Sequence, residues 1–274
     1  MTAPDLSSLP DDECALFNAL PTDGSAVSNP SLRQYLKWNR NRYFVARDGL
    51  VDRGLVARGR GRGGVVRRAQ PEQSADADRL AVVVQHGAPD TETIEAAITN
   101  ELSLYEPMRA VIERDWAQEH RQDLLAVEIT ALGGSRPDGI WTRSDITTVE
   151  VRTFEYVPGK HLDVNTFEIK SPSAVNVQAV YEALAHRRAA TRSYVLFYIP
   201  PDKAAALKHD VDEVATAARM HGIGVVTAGN PCDYDTWEEL EEAQRFAPDP
   251  EKLNDFIGAQ LSPATRSLIS RRLR

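Results

Sequence analysis

Residues 136–182 read RPDGIWTRSDITTVEVRTFEYVPGKHLDVNTFEIKSPSAVNVQAVYE. Two runs inside them have strand character, Thr147–Tyr156 and Leu162–Lys170, and the Pro158-Gly159 pair between them signals a hairpin. Side chains alternate across a strand, so Glu168 and Lys170 share one face with Thr166, while Phe167 and Ile169 take the other. Asp138 follows Pro137 and opens a shorter strand-like run, Gly139–Arg143. A helical pattern starting near Ser173 brings Gln178, Tyr181 and Glu182 onto one face.

An acid and a lysine two residues apart thus point the same way beside an apolar anchor. With Asp138 pointing there from a neighbouring strand, two carboxylates and an ammonium would converge. Two carboxylates ~4 Å apart repel by roughly 4 kcal/mol at an effective dielectric of ~20, so they need a cation. A hard, oxygen-loving ion such as magnesium, or manganese, fits that need. Such an ion activates water and neutralises charge on a phosphate, and Lys170 would hold that water or a phosphate oxygen.

Pro137-Asp138, then Glu168-Ile169-Lys170, then a helix carrying Gln178 resembles the PD-(D/E)XK nuclease superfamily, the restriction-endonuclease-like fold. The resemblance covers roughly residues 92–230. It implies metal ligation by Asp138 and Glu168, with the backbone carbonyl of Ile169, and a catalytic role for Lys170. Many members of the superfamily add an acid from a preceding helix; Glu106 in LYEPM is the candidate, with Glu101 and Glu113 as rivals. Gln178 would position Lys170 or a phosphate, and the three-residue step to Tyr181 departs from the four expected. The plain alternative is a cross-strand surface pair between Glu168 and Lys170 on a solvated sheet face, and Pro137-Asp138-Gly139 by itself reads as a turn.

The chain has 274 residues, 42% of them apolar and 26% charged, ordinary values for a soluble globular protein of two domains. Cys14 and Cys232 fit no metal or redox spacing, and the six histidines form no zinc pattern. The start, MTAPDLSSLPDDEC, is acidic and has no signal-peptide core, and no apolar run approaches the ~18 residues of a membrane span. A cytoplasmic protein without membrane contact is expected. Net charge is -8, but Ser31–Arg68 holds eleven Lys or Arg against two Asp, +9, which leaves -17 elsewhere. A basic module joined to an acidic one follows.

That basic stretch reads as three helices, 11–20, from Ser28 or Asn29 onward, and 39–53, closed by Gly54. Leu55–Arg58 and Val65–Arg68 then flank the glycine-rich GRGRGG. The text RDGLVDRGLVARGRGRGGVVRRA is similar to winged-helix DNA-binding domains over about residues 10–69. The resemblance implies a third helix in the major groove of double-stranded DNA; Arg40 and Arg42 are the candidates for contacts there, with phosphate rather than a base edge as the commoner partner of each. Arg58, Arg60, Arg62, Arg67 and Arg68 would contact phosphates, which supply affinity and little sequence choice. A protein-interaction module, or an arginine-glycine loop favouring RNA, are the alternatives.

The expected architecture is α/β: a winged helix-turn-helix in 1–70, a linker in 71–90, and in 91–274 a restriction-endonuclease-like mixed β-sheet flanked by helices. Thr91–His120 reads as a helix kinked or split at Pro107, Asp233–Glu242 as a solvated acidic helix face, and Ser262–Arg274 as a frayed basic end, with an extra phosphate-contacting arm as the alternative. The function implied is a magnesium- or manganese-dependent DNA endonuclease, a homodimer if it cuts both strands. The rivals are a DNA-binding regulator whose nuclease-like fold serves dimerisation or sensing and does no chemistry, and a nuclease acting on RNA or on modified DNA.

Overall fold

The structure, a computed structural model, describes residues 9–69, 101–131 and 143–274. Asp138, the expected strand at Gly139–Arg143 up to its last residue, the turn at Gly133-Gly134-Ser135 and the linker 71–90 lie outside the described residues. The chain divides into two compact units, 1–89 and 90–274.

In the first unit α1 (Asp11–Ala19), α2 (Asn29–Leu36) and α3 (Arg40–Asp52) pack around Leu16, Phe17, Leu20, Tyr43, Phe44 and Leu50. Local chemistry sets their ends. The Ser28 hydroxyl accepts from the Ser31 amide, the Asn39 side chain accepts from the Arg42 amide, and Gly54 takes φ +68° after α3. A three-stranded antiparallel sheet follows, β2 (Val56–Gly59) and β3 (Val65–Arg68) with β1 (Val27–Ser28) on the far side of β3. Buried Asn29 fixes this sheet to the helices: its amide donates to the Gly63 carbonyl at 3.0 Å and its oxygen accepts from the Tyr43 hydroxyl at 2.7 Å.

In the second unit α4 (Leu102–Val111) runs through Pro107 without a break. The expected irregularity arrives a turn later, where Ile112–Trp116 is π-helical before a last turn at Ala117–Glu119. Six strands form one mixed sheet in sequence order: β4 (Leu124–Ile129), β5 (Ile146–Arg152), β6 (His161–Lys170), β7 (Arg192–Tyr198), β8 (Gly224–Ala228) and β9 (Trp237–Glu241). β4, β5 and β6 are antiparallel neighbours, β6, β7 and β8 are parallel, and β9 returns antiparallel. The parallel steps need crossovers, supplied by α5 (Gln178–His186) and α6 (Pro201–His221).

The sheet is buried on both faces. Tyr194, Leu196 and Tyr198 of β7 join Leu104, Met108 and Trp116 on one side, while Val195 and Phe197 meet Val180, Ala183 and Val214 on the other. This two-sided burial is why 194–199 reads as an unbroken apolar run. On that second side, Val149 and Val164 pack under α7 (Pro250–Gln260) and α8 (Pro263–Leu273) through Phe256, Leu261 and Ile269. Two expectations are corrected here. The acidic run at Asp233–Glu242 contains the edge strand β9, anchored by buried Trp237, and the basic end is an ordered helix capped by Ser262.

Candidate functional site

Alternation along β6 sends Phe167 and Ile169 into the core around Trp116, so Glu168 and Lys170 point to the opposite side. There they meet α5. Lys170 Nζ lies 2.7 Å from Glu168 Oε1 and 2.6 Å from Glu182 Oε2, and Gln178 Nε2 donates to Glu182 Oε1 at 3.0 Å. His186, one turn further along, puts Nδ1 3.9 Å from Glu168 Oε2. Gln178, Glu182 and His186 stand four residues apart and form one stripe of α5.

Asp145, immediately before β5, completes the group. Its backbone amide donates to the Phe167 carbonyl at 3.1 Å, which sets it beside the Phe167–Ile169 segment of β6. Its Oδ2 accepts from the Ile169 amide at 2.7 Å and its Oδ1 from the Tyr105 hydroxyl of α4 at 2.7 Å. The neighbouring hydroxyls of Thr130, Ser144 and Thr147 bond to one another and hold the chain that delivers it.

Electrostatically the group is frustrated. Burial, then the Asp145 carboxylate, pushes the Glu168 carboxyl well up, against the pull of Lys170. Burial also raises Asp145, opposed by its bonds from Tyr105 and Ile169. Burial works to lower the Lys170 ammonium, yet Glu168 and Glu182 outweigh it and keep it charged. Burial pushes the His186 imidazole down to about 4. Glu168 Oε2 and His186 Nδ1 are buried, and among the described residues neither has a hydrogen-bond partner.

The sequence-predicted residues divide accordingly. Glu168, Lys170 and Gln178 come together, with Gln178 reaching Lys170 only through Glu182. The Ile169 backbone is there too, its amide given to Asp145. Glu106 is not: its carboxylate is exposed and held by Arg109, which also binds Glu113, on the outer side of α4. Of the three acids proposed on this helix, Glu101 is the one whose charge reaches Asp145, and its Oε1 is buried without a hydrogen-bond partner among the described residues. Asp138 lies outside the described residues. Asp145, Tyr105 and His186 were not expected. Ser144-Asp145 ahead of a β-branched run was the available signal for the first, and the four-residue spacing from Gln178 for the last.

In donor type this cluster suits a hard cation: the Asp145 and Glu168 carboxylates repel one another, and one buried oxygen of Glu168 lacks a hydrogen-bond partner among the described residues. Among the described residues, however, no three His, Cys, Asp or Glu side chains are grouped to hold a metal.

In the first unit, Arg58, Arg60 and Arg62 are exposed along β2 and the turn, and Arg67 is half-buried. Two expectations shift. Arg68 donates to the Leu20 and Phe17 carbonyls and stacks on the Phe17 ring, so it fastens β3 to α1. Arg42 is doubly bonded to Asp12 at 2.9 and 2.7 Å and lies over Trp38, although this pair is exposed and breaks at small cost. Arg40 lies over Phe44. Val45, exposed on α3, was not expected.

No family model matches the chain, and no curated protein resembles it closely enough in sequence to suggest a relative.

Proposed function

We propose that the chain is a metal-dependent DNA endonuclease whose first unit is a winged helix and whose second is a restriction-endonuclease-like nuclease domain. The single observation that carries this reading is the Asp145 carboxylate, held on the Ile169 amide, close enough to Glu168 and Lys170 for their charges to act on one another. Asp145 and Glu168 would hold magnesium or manganese, aided by the Ile169 backbone and by a further acid, with Glu101 and Asp138 as candidates. Bound there, the ion would supply positive charge to a scissile phosphodiester and lower the pKa of an attacking water.

The chain's own residues do the rest. Lys170, kept charged, presents its ammonium to a phosphate oxygen or to the water. Glu182 restrains that ammonium, and Gln178 restrains Glu182. The three helices and three-stranded sheet of the first unit, with arginines exposed along β2 and its turn, support duplex docking through phosphates. The test is plasmid cleavage with magnesium or manganese. Wild type should nick or linearise DNA, and Glu168→Ala, Lys170→Ala and Asp145→Asn should each lose at least about a hundredfold in rate, the scale of removing a positioned catalytic group. Equal cleavage by all four proteins would sink the assignment.

One observation favours a second reading, a DNA-binding regulator with a nuclease-like but inert domain. Lys170 is held by two carboxylates at once. DNA binding with no cleavage in any divalent ion would select it.

A further inference from the structure

The basic end of the chain carries an arrangement that the candidate site does not use. Pro263, Arg266, Ser267, Ser270, Arg271 and Arg274 fall at intervals of three, four, seven, eight and eleven residues, so they occupy one face of α8. An open, shallow depression of ≈ 520 Å³ lies on that face, lined by these six residues. The opposite face is spent on packing: Ile269 and Thr265 are buried, and Ile269 meets Val149 and Val164.

The helix is clamped at its start. Glu128 of β4 accepts from the Ser262 amide at 2.9 Å, from the Ser262 hydroxyl at 2.6 Å and from the Thr265 hydroxyl, placing a negative charge at the helix N-terminus, where the dipole favours it. Gln260, two residues earlier, accepts from Arg143 at 3.2 Å. The Arg143 carbonyl in turn takes the hydrogen bond of His186. The segment that leads into α8 is thus linked, through Gln260 and Arg143, to His186 of the candidate site.

The guanidinium groups on this face are not consumed by acids. Arg266 donates to the Gly258 carbonyl and keeps its charge. Arg271 and Arg274 are exposed and make no ion pair with a described residue. Arg272, which faces Asp123, stands off this face. In a chain of net charge -8, a rigid row of three such cations is a surface for a polyanion.

We propose that this face of α8 is a second nucleic-acid backbone contact, in which Arg266, Arg271 and Arg274 bind phosphates along the duplex backbone near the candidate site. This rests on the DNA-directed reading above. From Arg266 to Arg274 the helix rises ~12 Å, which spans between three and four steps of a duplex at ~3.4 Å each. The contact is sequence-independent, since arginine on phosphate fixes position and reads no base. A membrane surface fits less well, because a helix that lies on lipid needs its apolar face free, and that of α8 is packed on the sheet.

The experiment is fluorescence anisotropy of a random-sequence duplex titrated with the full chain across a range of salt. Arg266→Gln/Arg271→Gln/Arg274→Gln is compared with the triple lysine variant and with Arg271→Gln/Arg274→Gln. Each lost phosphate contact should lower the slope of log affinity against log salt by about 0.9, so the triple glutamine variant should lose about 2.7 and the double about 1.8. Affinity of the triple variant should fall at least about tenfold, and the lysine variant should keep the wild-type slope. The double variant leaves the Arg266 bond to Gly258 intact and guards against a folding artefact. Wild-type binding with unchanged slopes in both glutamine variants overturns the α8 surface and leaves the nuclease reading standing. Wild type that neither binds nor cleaves DNA overturns both. Loss of binding to anionic vesicles, with DNA binding intact, would give the surface to lipid instead.

Discussion

The His186 imidazole is buried against Glu168, and burial lowers its pKa to about 4, from an ordinary value near ~6.5. Between those limits the unfolded chain binds a proton that the folded chain refuses. The contribution is therefore fully present above pH ~6.5 and is lost as pH falls toward ~4, by at most about 3 kcal/mol. Asp145 and Glu168, raised by burial, act with the opposite sign, and their contribution is lost as pH rises. His186→Gln should remove the acid-side loss, so that denaturant melts between about pH 5 and pH 7 show stability falling with pH more steeply than in wild type. A second residue-scale expectation concerns Gln178. It reaches Lys170 only through Glu182, so Gln178→Ala should slow cleavage less than Glu182→Ala does in the same plasmid assay. The Glu168–Lys170 pairing was legible in the sequence because alternation along a strand is local. Asp145 was not, because its role depends on which residue of β6 lies across from it, and cross-strand register is set by distant contacts.

β8 shows at element scale how tightly the sheet is packed. Gly224 begins it, and a methyl group there would stand 2.2 Å from the Tyr194 ring of the neighbouring strand. That ring is stacked on Phe167, at 4.9 Å between centroids, and meets Trp116 edge-on at 5.4 Å, so it has little room to retreat. Gly224→Ala should cost about 1–3 kcal/mol in urea denaturation, and Trp116→Ala about 3–5 kcal/mol. In the first unit Asn29→Ala leaves the Tyr43 hydroxyl and the Gly63 carbonyl without their bonds, at about 1–3 kcal/mol. The helices and strands of this unit were legible because caps and glycines mark them locally, at Ser28, Asn39 and Gly54. β1 was missed because two residues carry no period of their own. β9 was misread because its glutamates outweigh Trp237 in any reading of composition. As the edge of the sheet it keeps those charges where they discourage pairing with another chain.

At the scale of the whole molecule, charge is divided between segments: +9 over Ser31–Arg68 within a total of -8. A duplex should bind through the basic segments with a steep fall in affinity as salt rises, and a flat salt response would deny them a docking role. No described helix is long and apolar enough to cross a membrane. The account depends on Asp145 and Glu168 sharing one cation, and calorimetric titration of manganese into the full chain addresses that without DNA. Wild type should bind one ion at this site, and Asp145→Asn and Glu168→Gln should each weaken it by at least about tenfold while melting as cooperatively as wild type. Manganese binding of equal strength in all three proteins, or none in any, would contradict the account.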